Sequence, residues 1–362
     1  MIRQITHRQC RSLFCRLFFF CRLFFFCSLL TLTVSCKPAL RKESRTVFTL
    51  GAVCSIQLFT DIPHTEAEAV LQTCVRRLEE LELALSANAD TSTLIDINRA
   101  AGLAAVAVPP DVYPVFVRAA FFAEKSGGAF NPVIGSVVKL WNIGFENAAK
   151  PDDAAITEAL QNTDYRDMKL DSSTVFLKKA GMKLDLGAIA KGFAADELTR
   201  IVKQAGIAHA LIDIGGTISA LGTRTDGKPW IVGIRDPRVR QGDPVISVAM
   251  ENRSISTSGS YERYFEQDGI RYHHILDPAT GYPVRNNLVS VSVFADSAAD
   301  ADALSTACFV LGCDAALQLL TELPHIDALF IFDDNTVRTT PGFEQKMKIL
   351  NTAFVLDGAG QH

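Results

Sequence analysis

Short strand-like segments dominate the second half of the sequence and constrain the fold more than any other feature. They are rich in β-branched residues and follow one another at close spacing: TVFLKK, MKLDLG, HALIDIGG, WIVGIRDP, VISVAM, SISTSG and VSVSVFA. Many of the links are of hairpin length, which favours antiparallel or mixed β-sheets with helices packed outside them. A Rossmann fold is disfavoured, because DIGGTISALG lacks the G-x-G-x-x-G spacing. The sequence therefore predicts an α+β fold.

Apolar residues at helical spacing predict four helices around these strands. The predicted helices cover residues 64–86, 111–128, 155–163 and 298–321. A single strand containing Gly51 is predicted over residues 46–60, ahead of the first helix.

The first 35 residues differ in composition from the rest of the chain. They contain five arginines and no acidic residue, and they run into a long apolar stretch, as is typical of a secretory signal peptide. A single membrane-spanning helix is the alternative. Arg16 and Arg22 weaken that alternative, because the uninterrupted apolar run that remains, Leu23–Val34, is too short for a hydrocarbon core of about 30 Å.

The leader ends in LTVSC, which resembles a loose bacterial lipobox with Cys36 as the lipid acceptor. Residues 36–45 are polar and basic and are predicted to form a tether, and residues 46–362 are predicted to form one folded domain. We therefore expect the protein to be lipid-anchored to a membrane on its extracytoplasmic, periplasmic face.

Charge and cysteine content narrow the class of protein further. A formal net charge of −4 provides no basic field for nucleic acid, so we expect no nucleic-acid partner. Outside the leader the cysteines are Cys54, Cys74, Cys308 and Cys313, and none has metal-ligand spacing. Buried free thiols are favoured over a disulfide or a metal site.

Two charged residues stand out in the apolar segment KLDLGAIAKGFAADEL, which reads as a strand running through a turn into a helix. Lys191 lies at the predicted start of that helix, where backbone N–H groups and the helix dipole attract anions, so it is suited to a phosphate. Asp185 lies six residues earlier and needs a partner of its own. A structural ion pair between the two is the alternative.

A second pair of polar residues lies in the apolar helix segment ADALSTACFVLG. Asp302 and Thr306 are four residues apart and therefore share one face of the helix. A carboxylate and a hydroxyl are ligands that Mg²⁺ accepts, with phosphates and water completing its octahedron. A helix-capping role for Asp302 is an equally weighted alternative.

The third segment is SISTSGSYERYFEQDGIRYHHILDPATGYPV, in which His274 lies at the end of a predicted strand beside a turn. Loops beside strand ends often carry chemistry, and a histidine there has a pKa suited to a general base. A purely structural histidine is the alternative.

Taken in order, these segments resemble the ApbE-type FAD:protein FMN transferases. The resemblance spans about residues 46–345 and rests on six motifs: LGAVCSIQL, SANADTSTLIDIN, GGAFNPVIGSVVKLWNIG, LDLGAIAKG, STSGSYERYF…HHILDPATGYPV and ADALSTACFVLG. It implies a T-fold-like α+β core, with the FAD-binding catalytic domain over 46–362.

The resemblance also implies a reaction and a set of site residues. The family transfers FMN from FAD to a threonine or serine of an acceptor flavoprotein, such as a subunit of an Rnf- or Nqr-type ion pump, and releases AMP. Mg²⁺ is expected to bind the carbonyl of Ala188 together with Asp302 and Thr306, and His274 is expected to act as the base. The expected FAD contacts are Leu50, Asn88, Ala129, Phe130, Asn131, Asp185, Lys191 and Leu276.

Three positions depart from the family pattern. Leu50-Gly51-Ala52 replaces Met-Gly-Thr, Asn131 replaces an aspartate, and Asn88 replaces a tyrosine whose ring could stack on the flavin. Loss of that ring should admit water more easily, so hydrolysis of FAD to FMN and AMP is predicted beside or in place of transfer. A lipid-anchored flavin-binding protein without catalysis is a third, weaker hypothesis, because binding alone requires neither a metal nor a base.

Overall fold

The computed structural model describes residues 40–239 and 242–357, and from Arg41 onward these form one compact unit. The predicted signal peptide and the lipidation site at Cys36 lie outside the described residues. Within the described part of the chain, no helix combines the length and the apolar character needed to cross a bilayer.

The described chain begins with a hairpin, not with the predicted tether and single strand. Strands β1 (Arg41–Thr49) and β2 (Ala52–Thr60) pair antiparallel along their whole length. Leu50 and Gly51 form the turn with φ of 54° and 66°, the left-handed values that a tight hairpin turn requires. The prediction of one strand over 46–60 was wrong because Gly51 is the only turn signal there, and one glycine inside a strand pattern does not distinguish a turn from a continuous strand. Residues 41–45 belong to β1, although a tether was expected there.

The first half of the chain then alternates helices with short strands. Its elements are α1 (His64–Leu85), α2 (Thr93–Arg99), β3 (Val106–Ala107), α3 (Tyr113–Lys125), α4 (Gly135–Trp141), α5 (Asp153–Leu160), β4 (Met168–Asp171), β5 (Thr174–Leu177) and α6 (Ala190–Gln204). Helices α1, α3 and α5 match predicted helices. The seven-residue helices α2 and α4 were not predicted, because two turns are too short to show a periodic apolar stripe.

The second half supplies most of the sheet. Its elements are β6 (His209–Ile214), β7 (Thr217–Leu221), β8 (Trp230–Arg235), β9 (Pro244–Met250), β10 (Arg253–Gly259), β11 (Tyr264–Gln267), β12 (Ile270–His273), β13 (Leu288–Ala295), α7 (Ala298–Leu311), α8 (Cys313–Thr321), β14 (Asp327–Phe332), β15 (Thr336–Thr339), β16 (Met347–Ile349) and β17 (Val355–Leu356). The single helix predicted over 298–321 is two helices, because Gly312 adopts φ 76° and ψ 164° between them.

Nine strands form the main sheet in the order β1-β2-β6-β7-β10-β13-β14-β15-β17, antiparallel except for the last pair. The main apolar core fills the space between one face of this sheet and helices α1, α6 and α7. A second cluster packs the opposite face against the small sheet β16-β9-β8. The predicted α+β architecture, with helices outside antiparallel and mixed sheets, is confirmed.

The four cysteines of the described chain are free and buried, as the sequence predicted. Burial raises the pKa of each thiol, for instance that of Cys54 to about 11, so the thiolate form is not accessible at neutral pH. These residues are packing elements.

Candidate active site

One cleft of about 1960 Å³ brings together every residue that the sequence predicted for FAD, metal or catalysis. The predicted residues on its wall are Leu50, Asn88, Ala129, Phe130, Asn131, Asp185, Ala188, Lys191, His274, Leu276, Asp302 and Thr306. They come from the first hairpin turn, the loop after α1, the loop after α3, the segment that leads into α6 and its first turn, the segment after β12 and one face of α7. The six motifs therefore converge in space although they span more than 250 residues, from Leu50 to Thr306.

Asp302 lines this cleft and is 3% exposed. Its Oδ1 accepts hydrogen bonds from the hydroxyls of Ser256 at 2.8 Å and Thr217 at 3.4 Å. Its Oδ2 accepts the backbone N–H of Gly192 at 3.0 Å. A buried carboxylate needs such donors, and their fixed positions set the direction in which its remaining lone pairs point.

Asp302 is also a helix cap, but for a different helix from the one expected. Gly192 lies in the first turn of α6, where backbone N–H groups lack an intrahelical acceptor, and Asp302 reaches across from α7 to satisfy one of them. The N-terminus of α7 is capped in return by Asp196 of α6, whose carboxylate accepts from the N–H groups of Ala298 and Ala299. Burial raises the pKa of Asp196, and these donated hydrogen bonds oppose that rise.

Lys191 pairs with Asp302 and not with Asp185. Its ammonium lies 3.2 and 3.3 Å from the two carboxylate oxygens of Asp302 and 3.1 Å from the carbonyl oxygen of Gly187. The alternative of an Asp185–Lys191 structural pair is therefore not what the structure shows. A positive charge is held between a carboxylate and a backbone carbonyl at the start of a helix.

Asp185 lies in an extended segment rather than in a regular strand, since Lys183 forms only an isolated bridge with Ile134. The Asp185 N–H donates to the carbonyl of Pro132, and its Oδ1 accepts the N–H of Gly187 at 2.8 Å. Burial raises the pKa of the Asp185 carboxyl, and that hydrogen bond partly offsets the rise. The side chain thus shapes the turn that leads into α6 while facing the cleft.

Thr306 lies one helical turn beyond Asp302 on the same face of α7, as its spacing predicted. Its hydroxyl is 3.3 Å from that of Ser258 on β10, and Ser258 is in turn 2.8 Å from the hydroxyl of Ser305. The helix face that carries both predicted metal ligands is therefore hydrogen-bonded to one strand of the main sheet.

The donor set at this end of the cleft fits a hard divalent cation. Among the described residues no group of three His, Cys, Asp or Glu side chains is placed to hold a metal. Mg²⁺ needs only one or two protein carboxylates when a substrate supplies phosphate oxygens. The N–H of Gly192 donates to Asp302 and not to the carbonyl of Ala188, so the Ala188 carbonyl is left for a cation. The Lys191 ammonium lies beside Asp302, which shows that positive charge is accommodated at this position.

His274 is neutral and has one defined tautomer. Its Nδ1 lies 3.2 Å from the carbonyl oxygen of Arg263, and because a carbonyl can only accept, Nδ1 carries the proton. Nε2 is therefore left with its lone pair. Burial, with smaller contributions from the charges of Arg263 and Lys191, lowers the pKa of His274 to about 4.

The adjacent His273 differs in every respect that matters for chemistry. It is 8% exposed, its Nε2 donates to the carbonyl of Val284 at 2.8 Å, and its Nδ1 accepts the N–H of Ile275. Both ring nitrogens are thus committed to backbone groups. His273 is structural, and it does not line the cleft.

The residues expected to contact FAD contribute in different ways. The ring of Phe130 is 1% exposed and packs edge-on against Phe122, so mainly its backbone borders the cleft. Asn131 spans two loops, since its Nδ2 donates to the carbonyl of Thr163 and its Oδ1 accepts the N–H of Val133. Asn88 is exposed at the rim, and its backbone N–H donates to Ser86 Oγ.

Several cleft residues were not singled out from the sequence. The Arg263 side chain donates to the carbonyl of Gly51 at 3.4 Å, and the Arg263 backbone carbonyl accepts the hydrogen bond from Nδ1 of His274. Asp213 is the penultimate residue of β6 and also lines the cleft, and burial raises its pKa. Arg263 lies within the motif SGSYERYF, so a basic residue near His274 was available as a signal. Asp213 in DIGG reads as turn chemistry and gave no such signal.

The fold and the cleft are together those of an α+β enzyme. A family model described as the ApbE family matches residues 50–330, and the chain belongs to that family. An FAD:protein FMN transferase of Treponema pallidum is 45% identical over 333 residues, which cover 88% of this chain and 92% of that protein. A protein of the same name from Klebsiella pneumoniae is 39% identical over 295 residues, covering 80% and 89%.

Solved structures agree. The crystal structure of the ApbE protein of Thermotoga maritima has a TM-score of 0.76 and 32% identity, and it covers 84% of this chain and 99% of that one. The flavin transferase ApbE of Vibrio cholerae has the same TM-score at 26% identity, covering 85% and 99%. The family and the fold expected from the sequence motifs are confirmed.

Proposed function

We propose that this protein is a Mg²⁺-dependent FAD:protein FMN transferase. One observation carries the proposal. A neutral His274, the Lys191 ammonium and the Asp302/Thr306 pair line one cleft in a chain that is 45% identical to a protein named for that reaction.

The reaction balances as a phosphoryl transfer. The hydroxyl oxygen of an acceptor threonine or serine attacks the FMN-side phosphorus of FAD, the pyrophosphate P–O bond breaks, and AMP leaves. Nε2 of His274 takes the hydroxyl proton, which it can do because its lone pair is free and its pKa of about 4 keeps it unprotonated at neutral pH. A histidine of such low pKa is a weak base, so its main contribution is to orient the nucleophile at the moment the proton leaves.

Asp302, Thr306 and the carbonyl of Ala188 would hold the Mg²⁺, with phosphate oxygens of FAD completing its coordination. The cation would neutralise charge that develops on the pyrophosphate during bond cleavage. With that cation beside Asp302, the Lys191 ammonium would be available to a phosphate oxygen, at a helix start that already favours anions.

The size of the cleft supports a second substrate. Ligand sites for one small molecule usually measure about 300–1,000 Å³. At about 1960 Å³ this cleft has room for a dinucleotide and for a segment of an acceptor protein. We propose acceptors of the Rnf- or Nqr-type flavoprotein class, modified on a threonine or serine.

Hydrolysis of FAD to FMN and AMP in the same site is the second candidate function. The observation that favours it is the exposed Asn88 at the cleft rim, where the family pattern has a ring. Water would replace the acceptor hydroxyl in the same bond exchange. A flavin binder without catalysis is disfavoured, because binding requires neither a neutral base nor a cation site.

The test is to incubate purified protein with FAD and Mg²⁺, with and without a threonine-containing acceptor peptide. Flavinylated peptide with stoichiometric AMP supports transfer, AMP without flavinylated peptide supports hydrolysis, and unchanged FAD refutes both. EDTA and Asp302→Asn should each abolish turnover. His274→Gln should lower kcat by about 10²–10⁴-fold while leaving FAD affinity within about twofold.

We also propose that Cys36 anchors the protein through lipid to the extracytoplasmic face of a membrane, close to membrane-bound acceptors. Metabolic labelling with a radioactive fatty acid should label the wild-type chain and not the Cys36→Ala variant. Equal labelling of both chains would refute lipidation at this residue.

A further inference from the structure

Strand β10 and helix α7 are joined by a strip of hydroxyl groups behind the cation ligands. Ser254, Ser256 and Ser258 alternate along β10 and therefore face the same side. Two strand residues span about 6.6 Å and four helical residues about 6 Å, so Ser256 and Ser258 match Asp302 and Thr306 one to one. The observed contacts follow this match, at 2.8 Å between Ser256 and Asp302 and 3.3 Å between Ser258 and Thr306.

The backbone carbonyl of Asp302, at one end of this strip, determines which hydroxyl donates and which accepts in each hydrogen bond. The hydroxyl of Ser305 lies 2.9 Å from the backbone carbonyl of Asp302, which can only accept, so Ser305 donates its proton there. Ser305 must then accept from Ser258 at 2.8 Å. With its own proton committed, Ser258 can only accept from Thr306.

The hydroxyls of Thr306, Ser258 and Ser305 thus form a relay, in which each donates to the next. This relay determines whether Thr306 presents its proton or its lone pairs to the cleft. Its proton points back toward Ser258, and the lone pairs of its Oγ1 are left for a cation. Without Ser258 the Thr306 hydroxyl would be free to rotate and could turn its proton into the cation site. A hydroxyl whose proton faces a cation is not a ligand.

We propose that Ser258 is a positioning residue for the cation site, because it orients the Thr306 hydroxyl through the Ser305 relay. The proposal deepens the proposed function and rests on Asp302 and Thr306 holding a divalent cation. Ser258 itself lines the cleft, but in this role it acts on the hydroxyl of Thr306 and is not a cation ligand. Its effect is transmitted through the direction of one proton.

The experiment measures the affinity of Mn²⁺, used as a probe for Mg²⁺, for purified full-length protein with FAD bound, by electron paramagnetic resonance. Ser258→Ala should weaken Mn²⁺ binding by about tenfold or more, in the range found when groups that orient metal ligands are removed. Ser258→Thr keeps the hydroxyl and should restore affinity to within about threefold of wild type. Ser254→Ala is the matched control, since Ser254 is on the same strand face but pairs with Ser219, away from the cleft.

Ser305→Ala supplies an independent variant if Ser258→Ala fails to fold. Alanine is favourable in a helix, so this variant should fold, yet it removes the acceptor that fixes the Ser258 proton. The Ser258 hydroxyl is then free to donate to Thr306, which would turn the proton of Thr306 away from Ser258 and toward the cation site. We expect Mn²⁺ affinity to fall by a similar factor.

Asp302→Asn separates this proposal from the one on which it rests, since it keeps an oxygen that can accept from Gly192. If Asp302→Asn leaves Mn²⁺ affinity unchanged, the cation site itself is misplaced. If Asp302→Asn removes binding while Ser258→Ala and Ser305→Ala bind Mn²⁺ as tightly as Ser254→Ala, the cation site holds and the relay is refuted.

Discussion

The backbone N–H of Gly192 donates to Oδ2 of Asp302 at 3.0 Å, across the contact between α6 and α7, although the two residues are 110 positions apart in sequence. The contact is close because glycine has no side chain. A Cβ on Gly192 would lie 2.6 Å from Cα of Ala299 and even nearer to the carbonyl oxygen of Ala298. Packing of α6 on α7 and placement of the predicted cation ligand are thus one geometric feature.

Gly192→Ala should therefore lower both stability and cation affinity. The added methyl meets backbone that cannot move aside, so we expect a loss of about 1–3 kcal/mol in the free energy of unfolding, measured by urea denaturation. Lys203→Ala, an exposed substitution in the last turn of the same helix, should stay within about 0.5 kcal/mol. Unchanged stability of Gly192→Ala would mean that the two helices are not in such close contact.

How much of the site could be predicted from the sequence depends on how far apart in sequence the interacting residues are. Asp302 and Thr306 share a helix face because of their spacing, and that spacing is local. The pairing of Lys191 with Asp302, 111 residues away, has no local signature, and the obvious partner at Asp185 was the wrong one. Only the combination of several ordered motifs with a known family indicated that these segments meet.

The same reasoning explains the errors in secondary structure. The turn places Leu50 at φ 54°, a conformation that leucine rarely adopts, so Gly51 is its only marker, and one glycine inside a strand pattern does not distinguish a turn from a continuous strand. Gly312 lies inside an otherwise apolar helical pattern, and periodicity alone could not distinguish a break from a tolerated glycine.

On the acid side, activity should fall only at an unusually low pH. Because the pKa of His274 is lowered from 6.5 to about 4, its Nε2 stays unprotonated until the pH approaches 4. We expect kcat/KM to hold from neutral pH down to about 5 and to fall below that. An acid limb centred near pH 6.5 would contradict the proposed environment of this histidine.

The free energy of unfolding should also depend on pH through His274, and the low pKa of this residue determines the direction of the change. Between the folded pKa of about 4 and the unfolded value of 6.5, the unfolded chain binds a proton that the native His274 does not, so stability falls as the pH drops through this window. Buried His273, whose pKa is also lowered, contributes in the same direction. Chemical denaturation between pH 7 and pH 4.5 should therefore show a shallower loss for His274→Gln than for wild type.

Restoring the aromatic residue at the cleft rim should change how FAD is partitioned. Asn88→Tyr places a ring where it can cover the flavin and exclude water, so we expect the ratio of free AMP to flavinylated peptide to fall severalfold. Asn88→Leu adds bulk without an aromatic face and should leave the ratio nearer to wild type. If Asn88→Tyr and wild type release AMP in the same ratio, the rim position does not control hydrolysis.

Asn131 lies where the resemblance leads us to expect an aspartate, and its contacts explain why an aspartate should be unfavourable here. Its Nδ2 donates to the carbonyl of Thr163 at 2.8 Å while its Oδ1 accepts the N–H of Val133. In Asn131→Asp the carboxylate keeps the second hydrogen bond, loses the first and faces the carbonyl oxygen of Thr163. We expect the free energy of unfolding at pH 7 to fall by about 1–3 kcal/mol, measured by urea denaturation.

Lowering the pH tests the cause of that loss. A protonated carboxyl can donate to the Thr163 carbonyl again, so the folded state raises the pKa of the introduced group and regains stability as the pH falls. The difference between Asn131→Asp and wild type should therefore shrink between pH 7 and pH 4. Asn88→Asp, at an exposed position of the same cleft, should differ from wild type by less than about 0.5 kcal/mol at either pH. A deficit in Asn131→Asp that stays constant with pH would show that the lost hydrogen bond to Thr163 is not its origin.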